Sequence, residues 1–153
     1  MGVKLPPVQT LLRDHAEDVY RFLAGMVGPR DAEDCFQETV LAALRAYPGL
    51  RDASNLRGWM FTIAYSKAVD ERRARARRAI PVERVPERLA EGSNDGVALW
   101  DLVRELPAKQ RASVVHRYAN DLPYREIGRL LDITEAAARQ NVREGLKKLK
   151  ELV

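Results

Sequence analysis

The chain has 153 residues, 46% of them apolar, 7% aromatic and 31% charged, with a formal net charge of +4. A single cysteine, Cys35, excludes an intrachain disulfide or a cysteine-built metal centre, and the distant His15 and His116 offer no set of convergent ligands, so no cofactor or metal is expected. No apolar run approaches the roughly 20 residues of a membrane span, and Met1 to Gln9 lacks the charged-then-apolar order of a signal peptide; the reading is a cytoplasmic chain with no membrane insertion.

In chain order the pattern is helical almost throughout. Val8, Leu11, Leu12, Val19, Phe22, Leu23 and Met26 recur at three-to-four spacing and predict one amphipathic helix over Val8–Val27. Gly28-Pro29-Arg30-Asp31 interrupts it, with Asp31 the expected N-cap of a second helix over Ala32–Tyr47. Pro48-Gly49 ends that helix, and Leu50 to Ser54 reads as a short loop. Ser54 or Asn55 caps a long third helix running through Leu56, Trp59, Met60 and Ile63 into Arg72-Arg73-Ala74-Arg75-Ala76-Arg77-Arg78.

Residues 80–98, with Pro81, Pro86, Gly92 and Gly96, read as a linker. Helices resume with Val97 to Leu106, then one opened by Pro107 and running to about Tyr118. Asn120-Asp121 makes a turn. Pro123 opens a short helix over Tyr124–Leu131, Asp132-Ile133-Thr134 turns the chain, and Thr134 caps a last helix over Glu135–Leu152. No alternating valine-rich segment suggests a sheet. The expected fold is all-α: two small helical domains, 8–79 and 99–153, joined by the linker.

Charge follows that division. Residues 1–79 carry 13 Lys/Arg against 10 Asp/Glu, residues 80–100 carry 2 against 4, and residues 101–153 carry 11 against 8. Two basic blocks around an acidic spacer suit two surfaces that face a polyanion, although an ordinary solvated surface has the same balance.

The strongest local signal is the short helix, three-residue turn and longer helix over 123–143, anchored by Ile127, Leu131, Ile133, Ala138 and Val142. Gly128 stands where two helix backbones approach. This is helix-turn-helix spacing, whose second helix enters the major groove; Arg139, Gln140, Arg143 and Lys147 on its outer face suit base edges and phosphates. An ordinary helical hairpin with a polar face is the plain alternative. Upstream, the arginine run and Lys67 suit phosphates, and aromatics can stack on unpaired bases. Trp59 falls on the apolar stripe and is expected in the core; Phe61 and Tyr65, off it, are expected to be exposed. Asp31, Glu33, Asp34 and Glu38 crowd the first turns of one helix, where they complement its dipole rather than forming a catalytic pair. No phosphate-binding glycine loop, His-Glu-x-x-His or Gly-x-Ser-x-Gly occurs, so no enzyme is expected.

The run from Asp31 to Arg45 (Asp-Ala-Glu-Asp-Cys-Phe-Gln-Glu-Thr-Val-Leu-Ala-Ala-Leu-Arg) resembles region 2 of extracytoplasmic-function sigma factors. Leu56 to Arg73 is similar to that family's following Trp-Leu…Ile-Ala…Asp…Arg-Arg segment. Leu106-Pro-Ala-Lys-Gln-Arg with Tyr118, Leu122, Tyr124, Glu126 and Ile127 looks like the start of region 4.

The resemblance implies that Asp34, Gln37, Glu38 and Leu41 contact the polymerase clamp. It implies that the loop Leu50 to Asn55, including Arg51 and Ser54, receives a flipped base of the −10 element. Phe61, Tyr65, Ser66, Lys67, Arg72 and Arg73 would follow the −10 strand. Tyr124, Arg125, Thr134, Glu135, Ala136, Arg139, Gln140, Arg143 and Lys147 would meet the −35 element, and region 4 would also grip the polymerase flap. Promoter DNA and the polymerase core are thus the implied partners, with an anti-sigma factor a common third.

Several residues depart from the family pattern. Ser66 replaces the usual Asn, and Asp132 a usual Gly at the turn, which Asp tolerates in a left-handed conformation. Ala136-Ala137-Ala138, Asn141 and Glu144 leave fewer groups for DNA, so a weak or atypical −35 contact is expected. A sigma mimic that sequesters an anti-sigma factor is the first alternative. A stand-alone helix-turn-helix repressor is the second, and leaves residues 8–79 unexplained. A compact free state in which the two domains pack together is a further expectation to be tested.

Overall fold

In the computed structural model, residues 4–78 and 95–152 are described; the linker expectation for residues 80–94 lies outside them. Seven α-helices occur among these residues, and no strand: α1 (Val8–Val27), α2 (Pro29–Ala46), α3 (Leu56–Arg78), α4 (Asp95–Val103), α5 (Ala108–Tyr118), α6 (Tyr124–Leu131) and α7 (Glu135–Leu152). A 3-10 turn, Tyr47–Gly49, follows α2.

The first three helices pack against one another. The stripe of α1 buries Leu11, Val19, Phe22, Leu23 and Met26; α2 adds Ala32, Cys35, Thr39 and Ala43, and α3 adds Met60, Ala64 and Ala68. Small residues on α2 and α3 let their backbones approach α1. Thr39, fully buried, satisfies its hydroxyl inside its own helix by donating to the Cys35 carbonyl (2.7 Å). Tyr47 donates to the Pro6 carbonyl and packs against Trp59 (centroids 6.0 Å), tying the start of the chain to the α2–α3 corner.

The break between α1 and α2 is tighter than the sequence suggests. Asp31 is not the N-cap: α2 begins at Pro29, with Gly28 in the capping position at φ 89°. Proline's fixed φ and missing N–H suit the first helical turn, and glycine alone enters that φ without strain. Asp31 therefore sits inside the first turn, where its carboxylate pairs with Arg75 of α3. The choice between Ser54 and Asn55 also resolves. Asn55 Oδ1 accepts from the Gly58 N–H (2.9 Å) and caps α3, whereas the Ser54 N–H donates to Asp52 in the preceding turn (2.9 Å). In the second half, α4 starts at Asp95, inside the expected linker, and stops at Val103 rather than Leu106.

Helices α5, α6 and α7 bury Ala112, Ile127, Leu131, Ala138, Val142 and Leu149, with Val103 and Leu106 from the segment before α5, while Val115 faces Gly25 of α1. This half does not stand clear of the first. Helix α1 packs on α5 and α3 on α6, and one apolar cluster runs through both halves.

Candidate nucleic-acid interface

The helix-turn-helix is built from backbone geometry. Asp132 ends α6 in the left-handed region (φ 56°, ψ 47°), and its N–H and that of Ile133 both return to the Gly128 carbonyl, the latter at 2.9 Å. A side chain at 128 has no room, because a Cβ there would lie 2.8 Å from the Ile133 carbonyl oxygen and 3.2 Å from the Glu135 nitrogen. Thr134 Oγ1 then accepts from the Ala137 N–H (3.0 Å) and caps α7.

This leaves Thr134, Glu135, Ala136, Arg139, Gln140, Arg143 and Lys147 exposed along one end and side of α7, with Arg125 exposed on α6. Part of the face pairs with itself. Arg139 meets Glu135 (3.3 Å), and Gln140 donates to Glu144 (2.8 Å). Half-buried Tyr124 lies beneath the guanidinium groups of Arg117 (4.4 Å) and Arg139 (5.1 Å). Exposed pairs of this kind are worth under about 1 kcal/mol each, so a phosphate or base can displace them.

On α2, Asp34, Gln37, Glu38 and Leu41 are all exposed and follow the spacing of a single helix ridge. Leu44, one turn further and 41% exposed, extends the apolar end of that ridge beside Leu41 at 51%. The sequence reading passed over Leu44, yet its spacing from Leu41 carried the signal.

The loop before α3 carries an internal side-chain hydrogen bond. Asp52 accepts from Ser54, whose hydrogen bonds hold its carboxyl below the usual range. Arg51 and Ser54 are exposed, and Leu50 and Asn55 half-buried. Asn55 Nδ2 also donates across to Glu126 of α6 (3.4 Å). Further along α3, Ser66 and Arg73 are exposed, and Tyr65, Lys67 and Arg72 half-buried; burial pushes the Tyr65 hydroxyl upward in pKa.

Phe61 corrects the expectation of exposure. It is 1% exposed, set edge-on to Phe22 (5.7 Å) and His116 (4.8 Å), because the His116 ring of α5 closes over it from the second half. Trp59, expected in the core, is half-buried at its margin. Arg75 is engaged by Asp31, which removes one member of the arginine run from the solvated set.

Among the described residues no group of His, Cys, Asp or Glu is placed to hold a metal ion, and no helix is long and apolar enough to cross a membrane.

Comparison with known proteins matches residues 11–78 to the model of sigma-70 region 2 and residues 96–149 to that of sigma-70 region 4. The chain is 30% identical to the ECF RNA polymerase sigma factor SigE of Mycolicibacterium smegmatis, over 96% of this chain and 62% of that protein. It is 35% identical to the ECF sigma factor SigF of Caulobacter vibrioides, over 85% of this chain and 75% of the relative. In fold it is similar to the sigma factor RpoE of Bartonella quintana, solved in complex with the anti-sigma factor NepR: TM-score 0.75, 19% identity, 97% of each chain covered. The chain belongs to the sigma-70 family, in its extracytoplasmic-function group. It spans under two thirds of the length of the Mycolicibacterium relative.

Proposed function

We propose that this chain is a working sigma factor: it recruits the polymerase core to promoters and assists strand opening, while the polymerase carries the chemistry and the chain itself is no enzyme. The observation that carries this reading is that one chain displays both an exposed acidic-and-leucine ridge on α2 and a correctly turned helix-turn-helix in α6–α7.

In this reading Asp34, Gln37, Glu38 and Leu41 meet the clamp. Leu50 to Asn55 takes a −10 base, with Tyr65, Ser66, Lys67, Arg72 and Arg73 along the strand. The α7 face from Thr134 to Lys147, with Tyr124 and Arg125, meets the −35 element. Residues 8–79 and 99–153 act as the two domains, in the cytoplasm, with an anti-sigma factor as a third partner.

The test is transcription in vitro with bacterial core polymerase across genomic DNA. Discrete starts that share upstream −35 and −10 sequences are expected; absence of core binding overturns the reading. Arg139→Ala with Gln140→Ala is expected to lower −35 affinity, and unchanged binding would remove that face from the interface. A second reading, a mimic that captures an anti-sigma factor, is favoured by the self-paired and alanine-rich α7 face. Core binding without starts would select it.

A further inference from the structure

Helices α5, α6 and α7 each send one side chain to a single aromatic ring. Tyr124 opens α6 and is half-buried. The Arg117 guanidinium, from the last turn of α5, stands 4.4 Å from the ring centroid and donates to the Leu122 carbonyl (3.1 Å), just before Pro123. The Arg139 guanidinium of α7 lies over the same ring at 5.1 Å. Both distances fall within the roughly 6 Å reach of a cation–π contact. Arg117 thus ties the ring to the segment where α6 begins, and the ring in turn reaches the outward face of α7.

The cations of that face are therefore not equivalent. Among the described residues, Arg139 is the one cation of α7 set over a ring. Arg143 and Lys147 are exposed and have no ion pair, hydrogen bond or ring contact to hold them. A long cationic side chain loses rotamer freedom when a partner fixes it, and one already held loses less. The manner of holding matters too. Arg139 Nη2 donates to Glu135 (3.3 Å), an exposed pair that a stronger acceptor displaces. The ring contact draws on the charge of the guanidinium and on no acceptor atom, so it persists while the planar fork turns its N–H groups to another partner. Bidentate donation from such a fork matches the O6 and N7 acceptors of guanine in the major groove, whereas unheld cations suit phosphates.

We propose that Tyr124 is a positioning residue for DNA reading: its ring holds Arg139 as the base-specifying side chain of α7 and leaves Arg143 and Lys147 to the phosphates. The proposal rests on the sigma reading above, with α7 in the major groove. Tyr124 acts through Arg139, and its hydroxyl is not the group that reads DNA.

Two measurements test this, one on the free chain and one on DNA. In the NMR spectrum of the full chain, the ring current is expected to move the Arg139 δ-methylene protons away from those of Arg143, which serves as the reference. Tyr124→Phe keeps that displacement and Tyr124→Leu abolishes it; an Arg139 resonance that Tyr124→Leu leaves in place overturns the contact. On DNA, core polymerase carrying the chain is offered duplexes randomised across the −35 element, and the recovered sequences give the preference at each base pair. Arg139→Ala is expected to lower the preference at one base pair at least about fivefold. Tyr124→Leu is expected to lower it at that same pair about two- to fivefold, and Tyr124→Phe to restore it. Once Arg139 is alanine, Tyr124→Leu is expected to change nothing further, an outcome that a merely structural role does not give. Arg143→Ala and Lys147→Ala weaken all sequences alike and flatten the salt dependence. Equal losses for Tyr124→Phe and Tyr124→Leu overturn the positioning role and assign the hydroxyl to DNA instead. So does a further loss from Tyr124→Leu in the Arg139→Ala background. Failure of the sigma reading shows separately, as lost core binding with the Arg139 protons still displaced; it removes the DNA role and leaves the ring contact standing.

Discussion

Gly128→Ala is a sharp probe of the helix-turn-helix. Three backbone atoms face the added Cβ: the Ile133 oxygen at 2.8 Å, and the Glu135 nitrogen and Thr134 carbonyl carbon at 3.2 Å. Ordinary contact begins near 3.4 Å, so the turn must yield by about 0.6 Å. It is pinned against doing so by the Ile133-to-Gly128 bond and by the Thr134 cap. Overpacking of this kind costs about 1–3 kcal/mol. Alanine's better helix propensity returns about 0.5–1 kcal/mol. The net expectation is a loss of about 1–2 kcal/mol, or a melting temperature lower by about 2–8 °C for a chain of this size. Urea unfolding followed by circular dichroism measures it. Gly49→Ala is the control, since nothing lies within 4 Å of a Cβ there; its expected change is within about 0.5 kcal/mol. If Gly128→Ala is as stable as wild type, the turn is not clamped at residue 128 and the close-approach argument fails.

Thr134→Ala removes the α7 cap and is expected to lower stability by about 1 kcal/mol, with Thr134→Asp retaining most of it; equal losses for both would show that the hydroxyl is not acting as a cap. Arg111 is 2% exposed and its pKa is pushed down to about 9, chiefly by burial, so holding its charge there opposes folding. Its bonds to Met26 and Leu106 offset much of that. Arg111→Met, which fills the space but leaves the Met26 and Leu106 carbonyls without their donor, is therefore expected within about 2 kcal/mol of wild type, and Arg111→Ala, which adds a cavity, to cost about 3–5 kcal/mol; equal losses in chemical denaturation would refute the cancellation. Burial, then the carboxylates of Glu71, Asp31, Glu38 and Asp34, push the Cys35 thiol up to about 11. At pH 8 its thiolate should be about a hundredfold scarcer than that of a free thiol, and alkylation should become fast only in denaturant.

Much of the architecture was legible because it is local. The ends of α1, α6 and α7 follow from apolar stripes, Pro123 and the Thr134 cap, and the tolerance of Asp132 for a left-handed turn could be read from its side chain alone. The α2 ridge was legible for the same reason: periodicity states which side of a helix is left over. Asp31 was misread because a good capping residue competed with Pro29, whose ring fixes the helix start three residues earlier.

Phe61 and His116 show where local reading stops. Off the stripe that faces α1 and α2, Phe61 had the pattern of an exposed residue, and His116 was read only as too distant from His15 to share a metal site. Both are buried because α3 and α5 each carry a second contact face, which matters only once the two halves meet. Sequence periodicity determined the helices, the helix-turn-helix and the family motifs, since those depend on neighbours within a few residues. The tertiary structure alone decided that the halves close on one another and that an aromatic pair encloses His116, because those contacts join positions about 55 to 94 residues apart, beyond the reach of any local pattern.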